Sequence, residues 1–134
     1  MKVYWKYFRA VLLGVVLSVL GLVAVSCEQI SGDSMDPLLA DGDVVLVSRL
    51  AYITEEPKKG DIVVFQTNVY STQDSGPLRF KKVEYVKDGN AYVVSENPEI
   101  GIDSRDEAVG MLSAYDIEGR AVARVLPLFK ARLL

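Results

Sequence analysis

Arg-Phe-Lys-Lys-Val-Glu-Tyr-Val-Lys-Asp-Gly-Asn-Ala-Tyr-Val-Val-Ser, residues 79–95, reads as two strands joined by a tight turn. Residues 79–86 and 91–95 are rich in β-branched and aromatic side chains, and the Asp88-Gly89 pair between them suits the positive φ angles of a two-residue hairpin turn. Working outward, β-branched runs at 43–48 and 61–67 are each introduced by Gly-Asp, and a last run at 120–126 ends at Pro127. The connections are polar or broken. Residues 55–59 are charged around Pro57, 68–77 form a polar loop, and 97–105 carry Pro98 and Gly101. Ser113 is expected to cap a short helical turn through Glu118 that Gly119 stops. Leu128, Phe129, Leu133 and Leu134 form an apolar tail interrupted by Lys130 and Arg132. Five or six short strands with almost no helix imply a mainly β body.

The amino-terminal third has a different character. Lys2, Lys6 and Arg9 are interleaved with Tyr4, Trp5, Tyr7 and Phe8, the mixture that a membrane interface selects. The following 18 residues, 10–27, carry no charge. As a helix they span about 27 Å, close to the roughly 30 Å of bilayer hydrocarbon. Because positive flanks stay in the cytoplasm, residues 1–9 are expected inside, 10–27 across the plasma membrane, and 28–134 outside as one domain. Two other readings use the same residues: a cleaved secretory signal, for which Val-Ala-Val-Ser-Cys at 23–27 is a loose version of the usual site, or a lipid attached at Cys27. Twelve of the 15 basic residues lie from residue 28 onward, against all 18 acidic ones. An acidic body argues against nucleic acid as a partner, since phosphate binding needs clustered Lys and Arg.

The chain has no histidine and one cysteine. A Ser-His-Asp triad, a Cys-His dyad, a His-containing zinc site and an internal disulfide are excluded, and no metal or cofactor is implied. Acid-base chemistry near neutral pH then falls to carboxylates, tyrosine or a lysine of lowered pKa. Ser34 stands in a polar turn behind Gly32 and Asp33 and ahead of Met35 and Pro37, where the chain enters the strand at 43–48. A hydroxyl held at the edge of a rigid scaffold suits a nucleophile, although Ser beside Gly and Asp is also an ordinary turn. Its base has to be a buried lysine, because an ammonium of pKa about 10.4 is almost fully protonated at pH 7 and desolvation lowers that value. Strand alternation puts Lys81 on one face with Val83 and Tyr85, and Lys82 with Glu84. Lys81 has the apolar company and Lys82 a neighbouring counter-charge, so Lys81 is the candidate. The plain alternative is that both are surface lysines on an amphipathic strand.

As an ordered set these residues resemble the type I signal peptidases of bacterial type, membrane-bound serine endopeptidases with a Ser/Lys dyad. Ser31-Gly32-Asp33-Ser34-Met35-Asp36-Pro37 is similar to the family's nucleophile segment, Ser-Met-x-Pro. The Gly-Asp strands at 42–47 and 60–65 resemble the two that follow. Phe80-Lys81-Lys82-Val83 is similar to the segment carrying the general base. Asp103-Ser104-Arg105 matches Asp-Ser-Arg, and 119–128 resembles the closing strand. The likeness covers about residues 30–128. It implies a small antiparallel β-domain on one transmembrane helix, Ser34 as nucleophile, Lys81 as base, and the Ser34 main-chain N–H in the oxyanion hole. Gly32, Met35, Pro37, Asp103, Ser104 and Arg105 take supporting roles. Implied partners are the lipid bilayer and exported preproteins, which are cut after a small residue.

Two departures from the family pattern stand out. Ser95-Glu96-Asn97 replaces its Gly-Asp-Asn, and Gly101 replaces a serine whose hydroxyl orients the lysine. The lack of histidine separates the chain from the endoplasmic-reticulum branch, which uses Ser/His. Three rival readings remain. One is a processing peptidase dedicated to a narrow substrate set. Another is a tethered or lipidated β-domain that binds a partner without catalysis. The third is a self-cleaving repressor, which resembles the Ser-Met segment but has a DNA-binding region where this chain has its apolar segment.

Overall fold

The computed structural model describes residues 2–67, 77–127 and 132–134. The polar loop expected at 68–77 and the tail residues Leu128, Phe129 and Lys130 lie largely or wholly outside them. The chain opens with helix α1, Lys2–Ala24, exposed from Val3 to Val23, of which Val3–Ala24 is long and apolar enough to cross a membrane. Its end differs from the expected boundary at Cys27. Val25–Gln29 forms strand β1, paired antiparallel with β2, Val44–Ser48. An apolar stretch satisfies its backbone as helix in lipid, but here its last residues find β2 as a partner instead. Cys27 is exposed and sits opposite Leu46, so a lipid attached there after cleavage would leave β1 without Val25 and Ser26.

A one-turn helix α2, Ala51–Thr54, follows β2. The remaining strands are β3, Ile62–Gln66; β4, Leu78–Lys87; β5, Asn90–Val94; β6, Ile117–Leu126; and β7, Arg132–Leu133. All pair antiparallel in the order β1-β2-β6-β3-β4-β5, with β7 on β6. The fold is mainly β with one amino-terminal apolar helix, as expected. The 79–95 hairpin turns at Asp88 and Gly89, both with positive φ (52° and 75°). β3 lies inside the sheet and is buried on both faces. Ile62 and Val64 enter one cluster with Val45, Val47 and Phe80, while Val63 and Phe65 enter the other with Val83, Val93 and Ile117.

The two Gly-Asp pairs build the same turn. Gly42 and Gly60 have φ of 82° and 92°, conformations closed to most side chains. The following aspartates then reach back, with Asp43 Oδ2 accepting from Ala40 N–H and Asp61 Oδ2 from Lys58 N–H, each at 3.0 Å. Both strands are thereby launched from a self-capped turn.

The expected helical turn at 113–118 is a different structure. Asp116 Oδ2 accepts from the N–H and hydroxyl of Ser113, a single turn results, and β6 begins at Ile117. Gly119 therefore lies inside a strand and stops nothing. A Cβ there would meet the Ser48 carbonyl oxygen at 2.7 Å and Val47 Cγ1 at 2.8 Å. Backbone cannot yield as a side-chain tip can, so Gly119→Ala is expected to destabilise the domain by about 3 kcal/mol. Urea unfolding tests this, and a loss below about 1 kcal/mol contradicts the close approach.

Candidate active site

The turn carrying Ser34 is seated from below. Met35 (1% exposed) and Leu39 (0%) enter the core, and burial of side chains of this size is worth about 2 kcal/mol each. Leu39 N–H donates to Met35 O at 2.9 Å and Asp36 N–H to Asp33 O at 3.1 Å. On one side, Gly32 N–H donates to Asp41 Oδ1 at 2.8 Å. On the other, the buried Arg124 guanidinium lies 3.3 Å from Asp43 Oδ2 and also donates to Leu38 O. The Asp36-Pro37 peptide is cis, and Pro37 is exposed. Asn97 N–H donates to Ser34 O at 3.0 Å, joining the turn to the segment after β5.

Lys81 comes from the other side of the sheet. It pairs with Val63 across β3 and β4, shares a face with Val83, and is completely buried. Its Nζ lies 2.7 Å from Ser34 Oγ, and Ser34 is itself 5% exposed. Two residues 47 apart in sequence are thus joined in a dry contact. Lys82 points to water and meets Glu96 at 3.1 Å, whereas Glu84, its expected neighbour, faces Lys59 at 3.9 Å. Tyr85 leaves the Lys81 face because the β4–β5 register shifts between Val83 and Tyr85. It is exposed and stacks on Tyr92 at 4.8 Å.

Asp103, Ser104 and Arg105 do not touch this contact directly; they brace β5. Ser104 exchanges hydrogen bonds with Val93, its N–H donating to Val93 O at 3.0 Å and its Oγ accepting from Val93 N–H at 2.9 Å. Asp103, 1% exposed, accepts from Ser95 N–H at 2.8 Å and from Arg105 N–H and Nε at 3.0 and 2.8 Å. Burial alone would raise the Asp103 pKa, but the Arg105 guanidinium, these main-chain donors and the Ser95 side chain outweigh it and hold the carboxyl at about 2. A folded pKa below the unfolded one stabilises above the unfolded value and is lost as pH falls through the folded value. From 3.8 to about 2 this amounts to about 2 kcal/mol. Asp103→Asn is therefore expected to cost about that much at pH 7 and little near pH 2, read from urea melts across that range. A cost independent of pH contradicts it.

The family model for signal peptidase, peptidase S26, matches residues 3–87, which include α1, Ser34 and Lys81. The chain belongs to this signal peptidase family. Among similar curated proteins are those named signal peptidase IB from Staphylococcus aureus strains N315, MW2 and COL, each 43% identical over 54 residues. The aligned segment covers 40% of this chain and 28% of each relative's length. Within this S26 chain the match stops short of Asp103; the resemblance to Asp-Ser-Arg singles out residues 103–105, and the tertiary structure adds how they brace β5. Asp43 and Arg124, which pin the Ser34 turn, were absent from the sequence-based site. A Gly-Asp pair at a strand start was the visible signal for the first, and a lone arginine in an apolar strand for the second.

Openings lie on two sides of the molecule. A cleft of about 230 Å³ is lined by Gln29, Ile30, Ser31, Asp41 and Gly42, directly before the Ser34 turn. A larger one of about 400 Å³, lined by Arg49, Tyr52, Ile53, Ala114, Tyr115 and Ile117, lies at the α1 end of β2, where Arg49 N–H donates to Ala24 O. Arg49 there ties three elements together through Ser26, Glu28 and Glu118. Among the described residues no group of three or more His, Cys, Asp or Glu is placed to hold a metal.

Proposed function

We propose that this chain is a membrane-anchored serine endopeptidase that removes amino-terminal signal segments from exported preproteins, with Ser34 as nucleophile and Lys81 as general base. The observation that carries the reading is the 2.7 Å approach of Lys81 Nζ to Ser34 Oγ with both side chains buried. Burial penalises the ammonium, and an uncharged amine has a lone pair to accept the hydroxyl proton.

The chemistry runs in two halves. Ser34 Oγ bonds to the scissile carbonyl carbon as its proton passes to Lys81 Nζ, and the Ser34 main-chain N–H is the donor we assign to the developing oxyanion. Collapse breaks the C–N bond, the departing amine takes the proton from Lys81, and an ester to Ser34 remains. Water then loses a proton to Lys81, attacks the ester and releases the carboxylate, after which the proton returns to Ser34 Oγ.

Substrate is expected to lie as an added strand in the cleft before the turn. Ile30 N–H donates to Asp43 O and Ile30 O accepts from Gly42 N–H, both directed inward. Outward pairing there falls to position 29. The family's preference for small residues before the cut suits a cleft this shallow. The apolar helix α1 supports an anchor that would hold the site at a bilayer surface, and the distribution of positive charge favours residues 1–9 in the cytoplasm and 28–134 outside.

Incubation of the full chain in detergent with a preprotein tests the reading. Cleavage at one bond after a small residue is expected, together with labelling of Ser34 by a serine-directed acylating probe. Absence of both, in protein shown to be folded, favours a tethered β-domain that binds without catalysis.

A further inference from the structure

Among the described residues of the β-body, exposed large apolar side chains are not spread evenly. Val25, Leu50, Ile53 and Tyr115 are uncovered, Ile53 at 71% and Tyr115 at 100% exposure, and all four belong to one end of the sheet. Val25 opens β1 opposite Ser48, the last residue of β2, and Ser48 faces Arg120 near the start of β6 on its other side. Leu50 and Ile53 follow β2 directly, and Tyr115 lies two residues before β6. Ile53 and Tyr115 line the same cleft of about 400 Å³, together with Arg49. Contiguous apolar exposure of this kind marks a contact surface.

The same end is where α1 leaves the body. Arg49 N–H donates to Ala24 O, the carbonyl of the last helical residue, at 2.8 Å, so Leu50 is one residue from a main-chain bond to the span. Because β1 takes Val25, Ser26 and Cys27 out of the helix, the uncharged helical residues 10–24 measure about 22 Å at about 1.5 Å each, less than the roughly 30 Å of bilayer hydrocarbon. A span this short draws the groups beside it toward the apolar layer. The two carboxylates nearest this end offer little resistance, since Glu28 and Glu118 each lie 2.6 Å from the Arg49 guanidinium and are neutralised by it. Tyr115 adds the apolar ring with a polar tip that bilayer interfaces select.

We propose that this rim is a second membrane contact: Leu50, Ile53 and Tyr115 enter the headgroup–acyl boundary of the bilayer that α1 crosses, and so fix the tilt of the β-body on the membrane. The inference rests on the anchor reading of α1 and deepens it. Apolar faces seated in this way lie about 5–10 Å into the boundary, a depth that side chains at the end of the sheet reach without unfolding anything. A single helical tether lets a body swing about its attachment; a tether with a seated rim does not. The Ser34 turn follows the opposite end of β1, so the rim sets the direction in which the cleft beside Gln29 and Gly42 faces.

The test places one tryptophan at a time in the full chain, reconstituted in phosphatidylcholine vesicles with or without bromine near the headgroup end of the acyl chains. Trp5, the chain's own, reports on α1. In a Trp5→Phe background, Tyr115→Trp and, separately, Ile53→Trp report on the rim. Tyr85→Trp, on the part of β4 beyond its pairing with β3, makes the same chemical change away from it. Bromolipid is expected to quench both rim tryptophans about twofold or more, with emission shifted to the blue, and to leave Tyr85→Trp within about a tenth of its emission in plain vesicles. Equal quenching at 85 and at the rim, or none at the rim, overturns the contact. Blue-shifted but unquenched rim emission that is lost as protein is diluted in lipid means that a second copy covers the cleft, and overturns it as well. If Trp5 itself escapes quenching, α1 does not lie in the bilayer, and the anchor reading fails together with this inference. A quenched Trp5 beside an unquenched rim removes only the inference.

Discussion

Ser34→Ala is expected to lower preprotein cleavage by at least about 10³-fold while leaving the sheet and its melting temperature nearly unchanged. Removing a nucleophile leaves only the rate that binding and oxyanion stabilisation supply, and in serine hydrolases that remainder is small. The change is structurally mild. The hydroxyl's recorded bond is to Lys81, and the turn that carries it is fixed by other groups: Met35 and Leu39 in the core, the Gly32 bond to Asp41, and the Asn97 bond to Ser34 O. Those anchors are untouched by the substitution. Rates on a purified preprotein, with thermal melts of the same samples, provide the check. Cleavage above about a tenth of the original rate would mean that another residue attacks.

Lys81→Met is expected to be as damaging to the rate and to act oppositely on stability. Methionine has nearly the length of the lysine stem and no charge, and Lys81 is completely buried beside Val63 and Val83. Replacing a buried polar group by an apolar one of similar volume is commonly neutral or stabilising. The melting temperature should therefore hold or rise, while kcat falls by at least about 10³-fold because Ser34 keeps its proton. A stable Lys81→Met that still cleaves would leave the contact between the two side chains as mere packing. A substitution that unfolds the domain would instead make Lys81 a structural ion.

Local chemistry made much of the architecture legible. The 79–95 hairpin, the strands begun by Gly-Asp, and the long apolar helix each depend on neighbours a few residues away, and each is found within a few residues of its expected place. Prediction failed where a partner distant in sequence decided the outcome. Val25, Ser26 and Cys27 have the composition of a span, yet they lie in a strand because β2 returns alongside them. Gly119 resembles a helix stop but serves the close approach of Ser48 and Val47. Tyr85 was assigned to the Lys81 face by strict alternation, which a register shift interrupts.

The candidate site divides along the same line. Without histidine, a serine in a turn and a lysine in an apolar strand are the pair left for acid-base chemistry, and residue types with strand period favour Lys81 over Lys82. Their 2.7 Å separation and the bracing by Asp103 come from the packing of β3, β4 and β5 against the Ser34 turn. Sequence specifies which groups are present and how each short segment prefers to run, because those preferences are local. Whether an amine is dry and which oxygen it meets depend on contacts between segments dozens of residues apart, and only the folded sheet decides those.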